Sequence, residues 1–180
     1  MRKVLFLFGQ LNDDDVEWML AAGTRRPVGR GAVLIRQGVP VDALFILLDG
    51  RLAVLLGARE QEIARLNSGE IVGEMSFVDA RPPSATVKAL EDSTVFALSK
   101  PVLNDKLARD LGFAARFYRA LAIYLSTTVR ERHRMLGYGD GVALDAAEED
   151  DADELDPNVL DGVYLAGERF DRMVKRVMGV

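Results

Sequence analysis

Two short stretches hold residue types able to grip an anion. The first runs Gly69-Glu70-Ile71-Val72-Gly73-Glu74-Met75-Ser76-Phe77, the second Arg81-Pro82-Pro83-Ser84-Ala85-Thr86-Val87. Glycines at a strand end let backbone approach a ligand closely. A helical turn starting near Met75 would aim free N–H groups at negative charge. Glu74, directly after Gly73, could accept hydrogen bonds from a ribose hydroxyl, or could cap the short helix instead. Ser84, Ala85 and Thr86 could offer amide and hydroxyl donors to phosphate oxygens, although Ser84 and Thr86 also suit an ordinary strand. Arg81 adds a guanidinium that could reach a phosphate or stack on a base.

The rest of the chain bounds what such a site can be. The 180 residues include 49% hydrophobic side chains, enough for one domain with a core plus appendages. There is no cysteine, which excludes disulfides, thiolate metal sites and cysteine catalysis, and fits a cytoplasmic protein. No apolar stretch is long enough to span a bilayer, and Val4–Phe8 is too short for a signal peptide and is read as mature sequence. A single histidine, His133 between Arg132 and Arg134, leaves no metal ligand set and no nucleophile–base constellation. The net charge is −5, yet residues 140–156 alone carry nine acidic side chains and no basic one. Such a tract repels nucleic acid phosphates.

Punctuated apolar runs predict the elements that must position the two stretches. Asn12, with Asp15 three residues on, resembles a cap for a helix from about residue 12 to Ala22. Strands are predicted at Ala32–Ile35, Ala43–Leu48, Arg51–Leu56, Glu62–Leu66, Ser84–Leu90 and Thr94–Leu98. Asp49-Gly50 between two apolar runs predicts a hairpin. Residues 101–137 read as helix, opened by Pro101. Its stripe is Ala114, Phe117, Leu121, Tyr124, Thr128 and Met135, widened by Leu125 and Val129. After the acidic linker, Asn158–Met178 reads as an amphipathic helix. Leu160, Val163, Tyr164, Phe170, Met173, Val174 and Val177 fall at helical spacing, with Arg169, Arg172, Lys175 and Arg176 on the other face. A lone helix of that length needs a surface to dock on.

The Gly-Glu and Pro-Ser-Ala-Thr stretches resemble the phosphate-binding cassette of the cyclic-nucleotide-binding domain family, typified by kinase regulatory subunits and the catabolite activator protein. Upstream, Gly31–Gly38 and Ala43–Val54 resemble the family's glycine-turn core, and the likeness spans about residues 5–136. It implies an α+β, mainly β fold, an antiparallel jelly-roll-like β-roll flanked by helices with a long C-terminal dimerisation helix. The expected organisation is a nucleotide-binding-like domain with its dimer helix over 1–137, an acidic linker over 138–157 and an amphipathic helix over 158–180. The family's cassette carries an Arg where this sequence has Pro83, and that Arg pairs with the cyclic phosphate. The likeness implies ligand contacts at Gly73, Glu74, Met75, Ser76, Arg81, Pro83, Ser84, Ala85 and Thr86. It adds Tyr124, Thr127, Thr128 and Arg132 as base contacts from the helix after the roll. The tail Leu160–Arg172 resembles stand-alone bacterial members of cyanobacterial type, some of which are thought to sense cyclic di-GMP.

The expectation is a non-enzymatic second-messenger receptor with no cofactor, a cyclic nucleotide as regulatory ligand, a homodimeric state and a protein partner such as a transcription factor. The alternative, motivated by Pro83, is a degenerate roll acting as a dimeric scaffold. Direct DNA binding is not expected, because only 43 residues follow Gly137 and 17 of them form the acidic tract.

Overall fold

The computed structural model describes residues 4–79, 81–137 and 157–179, except the side chains of 131–137 and 157–163. Two four-stranded antiparallel sheets form a β-roll. Strands β1 (Thr24–Val28), β8 (Ser93–Ser99), β3 (Ala43–Asp49) and β6 (Ile71–Val72) make the first, in that order. Strands β2 (Val33–Ile35), β7 (Thr86–Ala89), β4 (Leu52–Leu56) and β5 (Gln61–Leu66) make the second. Among the described residues six helices flank the roll: α1 (Val4–Gln10), α2 (Asp13–Ala22), α3 (Met75–Val78), α4 (Lys100–Arg109), α5 (Leu111–Gly137) and α6 (Pro157–Met178). Among the described residues, no helix is long and apolar enough to cross a membrane.

Strand β3 explains the layering. It is buried along nearly its whole length, because both of its faces are covered. Phe45 and Leu47 point into the roll with Val28, Ile35, Leu52, Leu66, Val72, Val87 and Val95. Leu44, Ile46 and Leu48 point the other way, into a second core shared with Leu7, Phe8, Met19, Phe113, Phe117 and Phe170 of the helices. An apolar run without alternation is what such a strand requires.

The structure corrects the expected Asp49-Gly50 hairpin. Strand β3 pairs with β6 and β8, whereas β4 pairs with β5 and β7. Gly50, at φ +92°, therefore turns the chain from one sheet into the other. Strand β1 was not foreseen, since Arg25, Arg26 and Pro27 lack a strand signature. An edge strand exposed at four of its five positions tolerates them.

The helical expectation over 101–137 divides at Asp110. The Asp110 amide ends α4 on the Lys106 carbonyl, and its Oδ1 accepts from Phe113 N at 2.9 Å, capping α5. Phe117, Leu121 and Tyr124 are buried as expected, but Val129 is half-exposed, and Phe113, outside the predicted stripe, is fully buried. The Met135 side chain lies outside the described residues. At the other end, Val4–Phe8 forms α1 and packs against both α5 and α6.

Helix α6 has its dock, yet two of its side chains reverse their expected faces. Tyr164 is 75% exposed and Arg169 only 9%. The Arg169 guanidinium donates to the Phe8 and Leu11 carbonyls, both at 2.7 Å, and to Asp13 Oδ1 at 2.9 Å. It satisfies the orphan carbonyls at the end of α1. The predicted Asn12–Asp15 capping box opens α2. Leu160 and Val163, placed on the apolar face by spacing, lie outside the described side chains.

The hydrogen bond and charge of Arg169 hold the Asp13 carboxyl below the usual carboxylate range. A carboxylate with a lowered folded pKa stabilises above its unfolded value and stops doing so as pH falls through the folded one. Asp13→Asn should therefore lower the thermal midpoint at pH 7. That difference should begin to shrink as pH falls below the ordinary carboxylate value and be lost as it falls through the lower, folded one. A midpoint difference that is constant with pH would show that Asp13 does not act through its charge.

Candidate ligand-binding site

The two anion-gripping stretches lie between β6 and β7, as one loop around α3. Gly73 leaves β6 at φ +87°, and a Cβ built there would sit 2.7 Å from the Ala43 carbonyl oxygen and 3.1 Å from Val41 Cγ1. No other residue type fits this backbone path against β3. Glu74 follows as the residue before α3. The residue is buried, at 8% exposure, and its side chain makes no capping bond to the helix. Met75 is exposed, and the Ser76 hydroxyl donates to the Gly73 carbonyl at 2.7 Å.

The second half of the loop is held by its neighbours. The Pro83 carbonyl accepts from Gly38 N at 2.9 Å. Thr86 Oγ1 accepts from Gln37 N at 3.1 Å, and Gln37 Oε1 in turn accepts from Gly57 N at 3.1 Å. The glycine turn 36–38 thus clamps the entrance to β7. Among the described residues, no backbone carbonyl accepts from the Ser84 or Ala85 amide. Ser84 is exposed and Ala85 half-exposed. These two donors face the question of an anion most directly.

Positive charge near the loop is sparse. Position 83 carries no cation. The Arg81 side chain is 87% exposed, 3.8 Å from Asp79 Oδ2, and its amide donates to Asp79 Oδ1. Lys100 reaches the loop from the start of α4, but its Nζ donates to the Ser76 carbonyl at 2.7 Å and lies 5.4 Å from the Phe77 ring centre. The four-residue α3 adds little positive potential, since the Ser76 and Phe77 amides already donate to the Gly73 and Glu74 carbonyls at 3.3 and 3.0 Å.

The loop reaches the long helix through Phe77, whose ring meets Phe117 of α5 edge-on at 6.2 Å. Sequence reasoning missed Lys100 and Val41, and it quoted Phe77 and Gln37 within their motifs without giving either a role. Only the Gln37-Gly38 turn left a local signal. The expected base contacts lie further along α5. Tyr124 is buried, while the Thr127 and Thr128 hydroxyls bond back to the Ile123 and Tyr124 carbonyls at 3.0 Å each. The Arg132 side chain lies outside the described residues.

Comparison with known proteins agrees with this geometry. The family model described as "Cyclic nucleotide-binding domain" matches residues 25–110, from β1 through α4. The Cyclic AMP receptor protein of Thermus thermophilus is 34% identical over 95 residues, covering 51% of this chain and 44% of that protein. The cAMP-dependent protein kinase regulatory subunit of Blastocladiella emersonii is 27% identical, covering 76% of this chain and 37% of that protein. The chain therefore spans less than half the length of these curated relatives. Among solved structures, the N-terminal domain of a transcriptional regulator from Streptomyces coelicolor superposes with TM-score 0.59 at 28% identity, over 69% of this chain and 94% of that one. A cyclic nucleotide-binding domain from Methylobacillus flagellatus shares the fold, with TM-score 0.67 at 24% identity over 79% and 85%. Residues 25–110 thus match the cyclic nucleotide-binding domain family in sequence, and the β-roll is that family's fold.

Proposed function

We propose that the chain is a non-enzymatic second-messenger receptor that holds a cyclic nucleotide against the β6–β7 loop and passes the occupied state to a protein partner such as a transcription factor. The observation that carries it is the loop itself: Gly73 pressed on β3, buried Glu74, and the Ser84 and Ala85 amides without a backbone acceptor among the described residues. In the bound state Glu74 accepts from the ribose, and the Gly73–Met75 and Ser84–Thr86 backbone grips the phosphate. Arg81 leaves Asp79 to take the place of the cassette Arg that Pro83 lacks. Tyr124, Thr128 and Arg132 approach the base when α5 swings. Signalling requires that the ligand bind two conformations unequally. The Phe77–Phe117 contact is where the loop acts on α5.

The solvent side of α5 favours a homodimer. Leu111, Tyr118 and Val129 are exposed there, with Ala115, Ala122 and Leu125 completing a 3-4 spacing. Each helix offers a seam to a second copy. Pro83 favours a second reading, a dimeric scaffold whose loop admits no ligand.

Calorimetry with cyclic AMP, cyclic GMP and cyclic di-GMP separates the two readings, with sedimentation of the same samples reporting the dimer. Binding of one of them is expected. Glu74→Ala should weaken it about tenfold or more, the cost of losing a hydrogen bond to a charged group. Arg81→Ala should weaken it as well, because the guanidinium stands in for the cassette Arg. No heat with any of the three nucleotides would favour the scaffold. Binding unaffected by both substitutions would put the ligand elsewhere.

A further inference from the structure

Helix α2 stands between α5 and α6 and is gripped by each on a different side. At about 100° per residue, Asp13 and Glu17 lie roughly 40° apart around the α2 axis, while Asp15 and Trp18 project from the opposite half. The first pair faces α6. Arg169 donates to Asp13 at 2.9 Å, Arg176 to Glu17 at 2.5 Å, and Arg172 lies 3.6 Å from Asp13 and 3.9 Å from Glu17. The second pair faces α5. Arg116 forms a two-pronged pair with buried Asp15 at 2.6 and 2.8 Å, and Trp18 meets Phe113 edge-on at 5.3 Å. Phe113 stacks on Phe117 at 5.8 Å, and Phe117 meets Phe77 of the loop helix.

A continuous packed path therefore runs from the loop through Phe77, Phe117 and Phe113 to α2, and across α2 to the arginines of α6. Arg169 also holds the end of α1 through the Phe8 and Leu11 carbonyls, so α6 cannot loosen without freeing the α1–α2 corner. The corner is fastened by ion pairs at the rim and by an apolar stripe of buried Ala166, Phe170 and Met173, with Val174, Val177 and Met178 partly buried beside it. Such a dock is easier to shift than the doubly covered β3.

We propose that α6 is the output element of this chain: its docking on the α1–α2 corner and the state of the β6–β7 loop are energetically coupled through α2. The proposal rests on the receptor reading for the identity of the ligand, but not for the coupling itself. Coupling of this kind is reciprocal, so loosening α6 must also change the loop and its affinity for ligand.

Hydrogen exchange read by mass spectrometry on the full chain tests the coupling without ligand. Arg169→Gln should speed exchange in α6 and the end of α1. It should also speed exchange in residues 111–120 and 73–79, which Arg169 does not touch. Arg176→Gln, at the exposed rim, should give the same pattern with smaller amplitude, and it decides the matter if Arg169→Gln fails to fold. Changes confined to α6 and the α1–α2 corner in both variants overturn the proposal. With cyclic AMP, cyclic GMP or cyclic di-GMP bound, exchange in residues 164–179 should shift, and Arg169→Gln should alter that affinity by about fivefold or more, the lower range for coupled sites. Binding that leaves α6 exchange and the Arg169→Gln affinity unchanged also overturns it. Failure of all three nucleotides to bind counts against the receptor reading alone, and the ligand-free arm still decides the coupling.

Discussion

Phe117→Ala should destabilise the chain by about 3–5 kcal/mol, the range for truncating a buried phenylalanine. The ring is fully buried and sits where the roll, the loop and the helices meet. It meets Phe77 and Tyr118 edge-on and stacks on Phe113. Removing it opens a cavity bordered by Phe77 of α3 and by Phe113 and Tyr118 of its own helix, and such walls relax only in part to fill it. The same deletion cuts the contact between loop and α5. Urea unfolding reports the stability, with Tyr118→Ala as the neighbouring control; its ring is half-exposed and should cost far less. Equal losses for the two variants would mean that Phe117 is not the packing centre described above.

Gly73→Ala should be the most damaging glycine substitution in the loop. At φ +87° an L side chain costs about 1–2 kcal/mol. The added methyl would also stand 2.7 Å from the Ala43 carbonyl oxygen, a backbone atom of the central strand. Relieving that overlap costs a further ~1–3 kcal/mol through displaced backbone. Gly31 provides the comparison. It has φ +80° but nothing within 4 Å of a built Cβ. Gly31→Ala should therefore show the conformational cost alone, and the difference between the two variants isolates the close approach of loop to strand. Unfolding midpoints check the stabilities. Gly73→Ala should also weaken ligand binding, because the loop must move outward to accommodate the methyl, whereas Gly31→Ala should not.

Much of the fold was legible because its signals are local. The capping box of Asn12 and Asp15 depends on two side chains and one turn, and it forms as read. The run Ala43–Leu48 could be placed as a strand from composition alone. Its neighbours could not. The Asp-Gly pair specifies a turn but not which strand the chain pairs with next, and here the turn changes sheets. The break at Asp110 was missed because the apolar spacing continues across it; only a side-chain cap marks the new helix. Arg169 was assigned to solvent because counting a helical face treats every arginine as exposed. The carbonyls that recruit it belong to α1, more than 150 residues away in sequence.

The candidate site divides in the same manner. Gly73 and Glu74 stand out in the sequence only together with the Gly31–Gly38 and Ala43–Val54 turns before them; a Gly-Glu pair alone, which also occurs at Gly69-Glu70 and Gly167-Glu168, is a weak signal. The groups that hold the loop, Gln37, Val41, Phe77 and Lys100, are ordinary residues in ordinary contexts. They acquire a role only when the roll closes. Pro83 is the reverse case: only the resemblance to the family's cassette makes a guanidinium expected there, while the structure shows what the position does, lending its carbonyl to Gly38.

The central claim is that the main-chain amides of the β6–β7 loop receive a cyclic phosphate. Amide-resolved nuclear magnetic resonance of the full chain, titrated with whichever of cyclic AMP, cyclic GMP and cyclic di-GMP gives heat, tests it most directly. The Ser84 and Ala85 amides should move downfield and saturate together with Gly73 and Met75, at ligand concentrations that match the calorimetry. Saturating binding that leaves all four amides in place, or no binding by any of the three nucleotides, would contradict it.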